Sequence, residues 1–478
     1  MTKTRIITLA TIVVYLIVLI AWQLYDPTTR FTQFVPGADH RPAGKARRAD
    51  DVVIGEYFMR YESSAPTSPE TSSHDSWTGF RGTDKNNITT SAVQLVEGQF
   101  SLVWTQETGE GHAAPIIADG RVYLLDYDEK VSSDALRCFD LQTGEELWRR
   151  WYRVPMKRNH GFSRTVPAIY DHRVVTIGPE GHVMCCDAQT GDLLWTIDMK
   201  QRYGTEIPFW YTGQCPYITP QGELIIAPAG KDVLLAGVDM KSGEEVWTTP
   251  NTVGFKMSHS SVMPMVLSGQ STLVYAGVGG VCGVAADGGD KGKLLWSANK
   301  WQPSVIAPSP LQLSSNRIFL VAGYGAGGAL LQVDRSGGSW TATIREQYKA
   351  DKGLSSEQQT PILYNGMIIT ILPKDGGGMR ERISLFAPSD LHHAVWNSAS
   401  DERFGLGPYM IVDGKLFALK ETGELYVYDI QPRSLRLIRS QPIIADASDA
   451  WGPMAYADGM LLVRDAKRVC CVKIKAEG

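Results

Sequence analysis

Positive charge is not in excess in this chain: 47 Lys and Arg stand against 51 Asp and Glu, a net charge of −4 over 478 residues. Without a basic surplus there is little to grip a phosphate backbone, so nucleic acid is not an expected partner. Cysteine is scarce, with seven residues. None is spaced C-x-x-C, which leaves no zinc site, and an odd number leaves at least one thiol outside any intramolecular pairing. Long apolar runs are confined to one, residues 6–24. At 43% hydrophobic and 21% charged residues the rest has the composition of a folded body with a large core, which excludes disorder as the main state.

Residues 6–24 carry no charge and at ~1.5 Å per residue are long enough to cross a hydrocarbon core of ~30 Å. The run ends Ala21-Trp22-Gln23-Leu24-Tyr25 without an A-x-A-like site, so an uncleaved signal anchor is expected rather than a cleaved signal peptide. Lys3 and Arg5 hold the short N-terminus in the cytoplasm, although Arg30 and Arg41 keep the charge asymmetry modest. No lipobox-type cysteine follows. The expected organisation is a cytoplasmic tail and transmembrane anchor (1–25), a tether rich in Pro, Ser, Thr and charge (26–76), and one large domain (77–478) outside the cytoplasmic membrane. Within the tether, residues 52–61 are apolar and aromatic enough to pack on the wall of that domain.

Glycine and tryptophan are plentiful, at 47 and 13 residues, as a turn-dense all-β repeat fold requires. From Trp104 onward a pattern returns every forty to fifty residues. Three copies are plain: CFDLQTGEELW (138–148), CCDAQTGDLLW (185–195) and GVDMKSGEEVW (237–247). Asp140, Asp187 and Asp239 open a turn, and Gly144, Gly191 and Gly243 supply its φ > 0 position. Eight residues after each Asp, Trp148, Trp195 and Trp247 lie on one face of the outgoing strand, a face that must be buried against a neighbour. Weaker copies follow at 284–296, 331–344, 386–396 and 426–437, with Trp296 and Trp396 in the same place. A hairpin precedes each turn, so each repeat holds four short antiparallel strands. The last repeat supplies only three, and the strand around Trp104 is its missing fourth. The sequence therefore predicts an all-β, eight-bladed β-propeller closed by its first and last strands, preceded by one transmembrane helix.

The Asp, Gly and Trp arrangement resembles the tryptophan-docking motif of the PQQ-like propeller family, over residues 77–478. Two further segments are similar to a bacterial subset of it: Trp77-Thr78-Gly79-Phe80-Arg81-Gly82, followed by Asp84 and Asn86, and GYGAGGALLQV from Gly323. The resemblance implies a shared fold with varied function, from quinoprotein alcohol dehydrogenases to an outer-membrane assembly lipoprotein. The dehydrogenases would imply PQQ stacked between a tryptophan and a ring of adjacent disulfide-bonded cysteines, with calcium and a catalytic Asp. Two adjacent pairs exist here, Cys185-Cys186 and Cys470-Cys471. Neighbouring side chains in a strand point to opposite faces, which disfavours such a ring. A disulfide between blades, such as Cys138 with Cys186, is an option in an oxidising compartment, but buried free thiols packing as small apolar groups are the expectation. No segment matches the calcium ligands or the catalytic Asp, so neither PQQ nor calcium is an expected cofactor and no catalytic residue is assigned.

Function on a propeller is sought at the channel mouth, where the segments leading into each innermost strand meet the loops between second and third strands. The lead-in segments carry His112, His160, Arg164, Trp210, Gln214, His259, Glu357 and Trp451, with Glu110, Tyr211, Ser261, Gln358 and Asp449 beside them. Convergence of these groups would suit an acidic or aromatic ligand. Any propeller mouth also collects polar side chains that only solvate the channel, and geometry decides between the two. The glycine-rich run 323–328 lacks the Lys-Ser/Thr of a phosphate loop and is expected as a hairpin loop. The expected function is a non-catalytic interaction or accessory protein with protein partners in the cell envelope. The alternatives are a PQQ-dependent oxidoreductase or a small-ligand binder.

Overall fold

The computed structural model describes residues 3–25, 40, 51–62, 75–93 and 100–474. Helix α1 (Lys3–Leu24) contains an 18-residue apolar stretch, Ile7–Leu24, long enough to cross a membrane, and none of that stretch is buried against the rest of the chain. Most of the segment read as a tether lies outside the described residues. Its stretch 51–62 does not: strand β1 (Tyr57–Arg60) is docked on the propeller, as its apolar composition implied.

Eight sheets form the ring, consecutive in sequence. In blade one, strands β4 (Ile116–Ala118), β5 (Arg121–Asp128), β6 (Ser133–Asp140) and β7 (Glu146–Arg153) run from the channel outward. Asp119 and Gly120 turn β4 into β5 with φ of 50° and 69°, the pair of positive values that a two-residue I′ hairpin demands. At the β6–β7 turn, Asp140 Oδ1 accepts from the backbone N–H of Gln142 (2.9 Å) and Thr143 (2.8 Å), and Gly144 has φ 74°. Asp187 and Asp239 repeat the arrangement in blades two and three.

The glycine of each turn receives the tryptophan of the preceding blade. A Cβ on Gly144 would stand 2.6 Å from the ring of Trp104; the corresponding distances are 2.7 Å from Gly191 to Trp148 and 2.5 Å from Gly243 to Trp195. The indole N–H groups donate across the same boundary to the carbonyls of Leu141 (2.8 Å), Ala188 (3.2 Å) and Met240 (3.0 Å). The series weakens further round. Trp247 is only half-buried, and its N–H turns back to Glu223 of its own blade. Trp296 is buried with its indole N–H unpartnered, and Trp396 is partly exposed. The expectation of equally buried wedges thus holds for Trp148 and Trp195 and fails for Trp247 and Trp396.

Strand β3 (Ser101–Glu107) closes the ring as expected, antiparallel to the last strand, Arg468–Lys473, with Trp104 opposite Cys471. Two blades carry a fifth strand. β1 pairs with β7 on the rim of blade one, and β2 (Ile88–Thr89) runs parallel to the innermost strand of blade seven, Tyr409–Val412.

The W-x-x-F-R-G segment crosses the ring. Trp77 pairs with Ile117 of blade one, the Thr78 carbonyl accepts from Ile169 N of blade two (3.0 Å), and Arg81 Nη1 donates to the Thr360 carbonyl leading into blade six (2.8 Å). Beyond it, Asn87 donates from its amide to the Tyr409 carbonyl. One side of this crossing, with Phe80, Arg81 and Asn87, faces a cavity on the mouth side; Thr78, Thr83, Asp84 and Lys85 face a second cavity beside the Asp119 and Asp171 turns on the opposite side. The segment is a plug that makes the channel a one-ended funnel.

Candidate functional site

The funnel is a cavity of about 370 Å³. Seven of the eight candidate residues line it: His112, His160, Arg164, Trp210, His259, Glu357 and Trp451. They arrive from the lead-ins of blades one, two, three, four, six and eight, which the short inner strands bring to one rim. Gln214 is not among them. It is fully buried, and its amide is spent on Ala227, accepting from the backbone N–H (2.8 Å) and donating to the carbonyl (2.9 Å). Its neighbours in sequence face the funnel while Gln214 supports the wall.

Arg164 lines the cavity, but its hydrogen bonds go elsewhere. Both terminal nitrogens donate to backbone carbonyls of the loop ahead of it: Asn159 (2.7 Å), His160 (2.9 Å), Phe162 (3.1 Å) and Gly161 (3.3 Å). It staples that loop and adds a positive charge to the wall; burial lowers its pKa to about 10. Arg81 plays the same part in the floor, donating to the carbonyls of Lys85, Thr360, Asn86 and Pro361. Neither guanidinium has a carboxylate partner among the described residues.

Burial and this charge together set the state of the imidazoles. Burial, then the field of Arg164, pushes His112 down to about 3 and His259 down to about 4, with Arg464 also acting on His112. Both rings are neutral at ordinary pH, and the buried Nδ1 of each has no hydrogen-bond partner among the described residues. Glu357, the one carboxylate in the lining among the described residues, has its pKa raised by burial.

Aromatic rings form two groups. Trp210 stacks on Tyr324 with centroids 5.3 Å apart and planes at 21°, and His259 lies 6.4 Å from the same indole. Across the mouth, His112 sits 4.8 Å from Trp451, whose N–H donates to Glu421 (2.9 Å), and the Lys374 ammonium is 5.9 Å from that indole. Tyr324 and Lys374 were not among the sequence candidates. They come from loops between the second and third strands of blades five and six. The glycine-rich run 323–328 was the available signal: a Cβ at Gly327 would stand 2.1 Å from the Tyr348 carbonyl, so the loop folds tightly and lifts Tyr324 to the mouth.

Behind the blade-two lead-in, Asp134 is fully buried. It accepts from Tyr152 Oη (2.7 Å) and Ser163 Oγ (3.4 Å) and has no cation partner among the described residues. Burial, with Asp126 nearby, pushes its pKa up to about 7.

The family described as outer membrane protein assembly factor BamB matches residues 132–377, just over half of the 478 residues. The chain belongs to this family. Among solved structures, BamB from Moraxella catarrhalis is similar over 78% of this chain and 100% of its own, at 13% identity and a TM-score of 0.50. A quinohemoprotein alcohol dehydrogenase from Pseudomonas putida HK5 is similar over 84% of this chain and 81% of its own, at 13% identity and a TM-score of 0.54. A europium-containing methanol dehydrogenase covers 85% and 98%, at 11% identity and a TM-score of 0.57. At these identities the structural likeness is one of fold. No curated protein matches the sequence.

Proposed function

We propose that this BamB-family chain is a membrane-tethered propeller of the cell envelope that works by binding, with the one-ended funnel receiving an acidic or aromatic group of a protein partner. The observation that carries this reading is the lining itself. Among the described residues, Arg81, Arg164 and Lys374 stand against a single carboxylate, Glu357, beneath two aromatic groups. Such a surface favours a negative or flat apolar group through charge and stacking. The exposed Phe209, 81% accessible beside Trp210, extends the apolar rim outward.

The competing reading is a quinone oxidoreductase. Calcium beside a quinone takes six to eight oxygen ligands, whereas the lining offers one carboxylate and no described group of three His, Cys, Asp or Glu is placed to hold a metal. Cys185 and Cys186 point into different cores, one between blades two and three and the other between blades one and two. Cys470 meets Thr105 Oγ1, whereas Cys471 donates to Leu141. The residues present do not fit the group.

A photo-crosslinker at position 209 of the full-length protein in membranes should give partner adducts, and Trp210→Ala with Lys374→Gln should remove them without changing the melting temperature by more than a few degrees. Adducts that survive the double change would place the working surface elsewhere. A stoichiometric absorbance change on adding PQQ with calcium would favour the oxidoreductase.

A further inference from the structure

The chain between the helix and the propeller is fastened along one arc of the rim. His40 is the first described residue after Tyr25. Its side chain sits edge-on to the Trp195 ring at 6.4 Å, its Nδ1 is 3.4 Å from Glu244, and its carbonyl accepts from Arg202 Nη1 (3.1 Å). A Cβ on the docking glycine Gly243 would meet its Nε2 at 2.6 Å. The seat of His40 is therefore the junction of blades two and three. Asp51 accepts from Gln201 (3.3 Å) on the short helix α2 (Met199–Tyr203) that follows blade two.

From there the strap reaches the junction of blades one and two. The Gly55 carbonyl accepts from Arg150 (3.0 Å), and a Cβ on Gly55, whose φ is 71°, would be 2.9 Å from Leu193. β1 then lies along β7 with Tyr57 stacked on Trp151 at 5.6 Å. These contacts of the strap lie on the rim of blades one to three.

Fourteen residues separate Tyr25 from His40, a span of at most about 50 Å even when fully extended. Trp22 and Tyr25 close the apolar stretch, as residues at a membrane–water boundary do. The first described attachment of the chain to the propeller after the helix is thus on an edge and not a face. We propose that the rim of blades one to three is the surface this protein turns toward the lipid headgroups of the membrane holding its helix, so that the disk stands on edge and the funnel opens along the bilayer. The proposal rests on α1 being retained as the anchor. It leaves both faces open to a partner lying beside the protein in the same membrane.

The test uses the full chain in lipid nanodiscs with nickel chelated to a fraction of the headgroups. Spin labels go on cysteines introduced at Val246 in the outer strand of blade three, Leu437 in that of blade seven, Phe209 at the mouth and Asp119 on the opposite face; all four sites are exposed. The seven native cysteines are buried. Relaxation by nickel should be several-fold stronger at 246 than at 437, with 209 and 119 in between. Strongest relaxation at 209 or 119 means the disk lies on a face and overturns the proposal, and equal relaxation at all four overturns it as well. Gly55→Val, which crowds Leu193 and frees the strap, should abolish the difference; its persistence would assign the orientation to something other than the strap and overturn the argument. Intact-mass measurement separates the two failures, since a chain beginning after Tyr25 removes the anchor itself.

Discussion

The indole of Trp148 lies against Gly191 of the next blade so closely that a methyl group on the glycine would stand 2.7 Å from the ring. The same relation links Trp104 to Gly144 and Trp195 to Gly243, and Trp247 approaches Gly292 at 2.9 Å by the same measure. Each glycine has two duties at once. It takes a positive φ that ends a turn, and it leaves bare backbone for the neighbouring blade's tryptophan. Blade-to-blade adhesion is therefore written at the turn, eight residues or fewer from the tryptophan that serves the following junction.

Gly191→Ala should consequently destabilise the propeller by about 2–4 kcal/mol, since both the φ of 76° and the ring contact oppose the new methyl group. Trp148→Ala and Trp195→Ala should cost about 3–5 kcal/mol each by emptying a buried site. Trp247→Ala should cost clearly less, because that indole is half-exposed and bonded within its own blade. Equilibrium urea unfolding orders the four variants; a Trp247 loss equal to that of Trp148 would contradict the graded docking.

Stability should fall as pH rises from about 4 to about 7 through Asp134. Its folded pKa of about 7 lies above the ordinary value of 3.8, so between these values the folded state binds the extra proton, and each pH unit in that window costs roughly 1.4 kcal/mol. Above the folded pKa the carboxylate is charged amid hydroxyl groups alone. Asp134→Asn keeps the shape and removes the titration. The difference in unfolding free energy between the two proteins, measured at pH 4.5 and 7.5, should shift in favour of the variant at the higher pH. An unchanged difference would mean that water or a cation reaches the carboxyl.

The repeat was legible because one physical unit recurs: an Asp that binds two backbone N–H groups, a Gly in the left-handed region, and a Trp on the following strand. Closure was legible too, since a lone Trp104 strand at one end matches three strands at the other. The site was legible only as positions. Sequence puts Gln214 and Trp210 in one lead-in segment, but only the fold shows that Gln214 turns into the wall to satisfy Ala227. Arg164 likewise reads as a free cation until its four carbonyl partners are seen. The plug was visible as a motif without a place: nothing in W-x-x-F-R-G says that Arg81 bonds to a carbonyl 279 residues away. Tyr324 and Lys374 sit in loops that carry no repeat signature.

Binding of an acidic aromatic probe such as anilinonaphthalene sulfonate should take up protons in the acid range. His112 and His259 are held neutral, down at about 3 and 4, by burial and by Arg164. An anion placed beside them offsets that charge and raises both pKa values. Affinity should therefore strengthen as pH falls below the raised values and level off above them. Calorimetry at pH 5 in two buffers of different ionisation enthalpy reads the proton uptake directly. Identical heats, or binding unaltered by His112→Asn with His259→Asn, would remove the imidazoles from the site.

A deletion series separates the strap, the plug and the closing strand. Removing residues 1–50 takes only the His40 end of the strap, leaves β1, the plug and β3 in place, and should change the stability of the ring little. Removing residues 1–76 takes away the rest of the strap, β1 included. The fully buried Arg150 then loses its bond to the Gly55 carbonyl and the Phe58 ring that covers it at 4.4 Å, leaving a guanidinium partly uncovered at a blade junction. That should cost about 1–3 kcal/mol while the protein stays folded and monomeric, because β7 becomes an ordinary blade edge. Removing residues 1–107 also takes the plug and β3. The last strand, Arg468–Lys473, is then unpaired along its outer side, and Gly144 loses the indole of Trp104. An open ring with a free apolar strand edge should aggregate. Sedimentation and unfolding of the three truncated proteins check the order, and a stable monomer lacking Trp104 would show that the ring does not depend on joining its two ends.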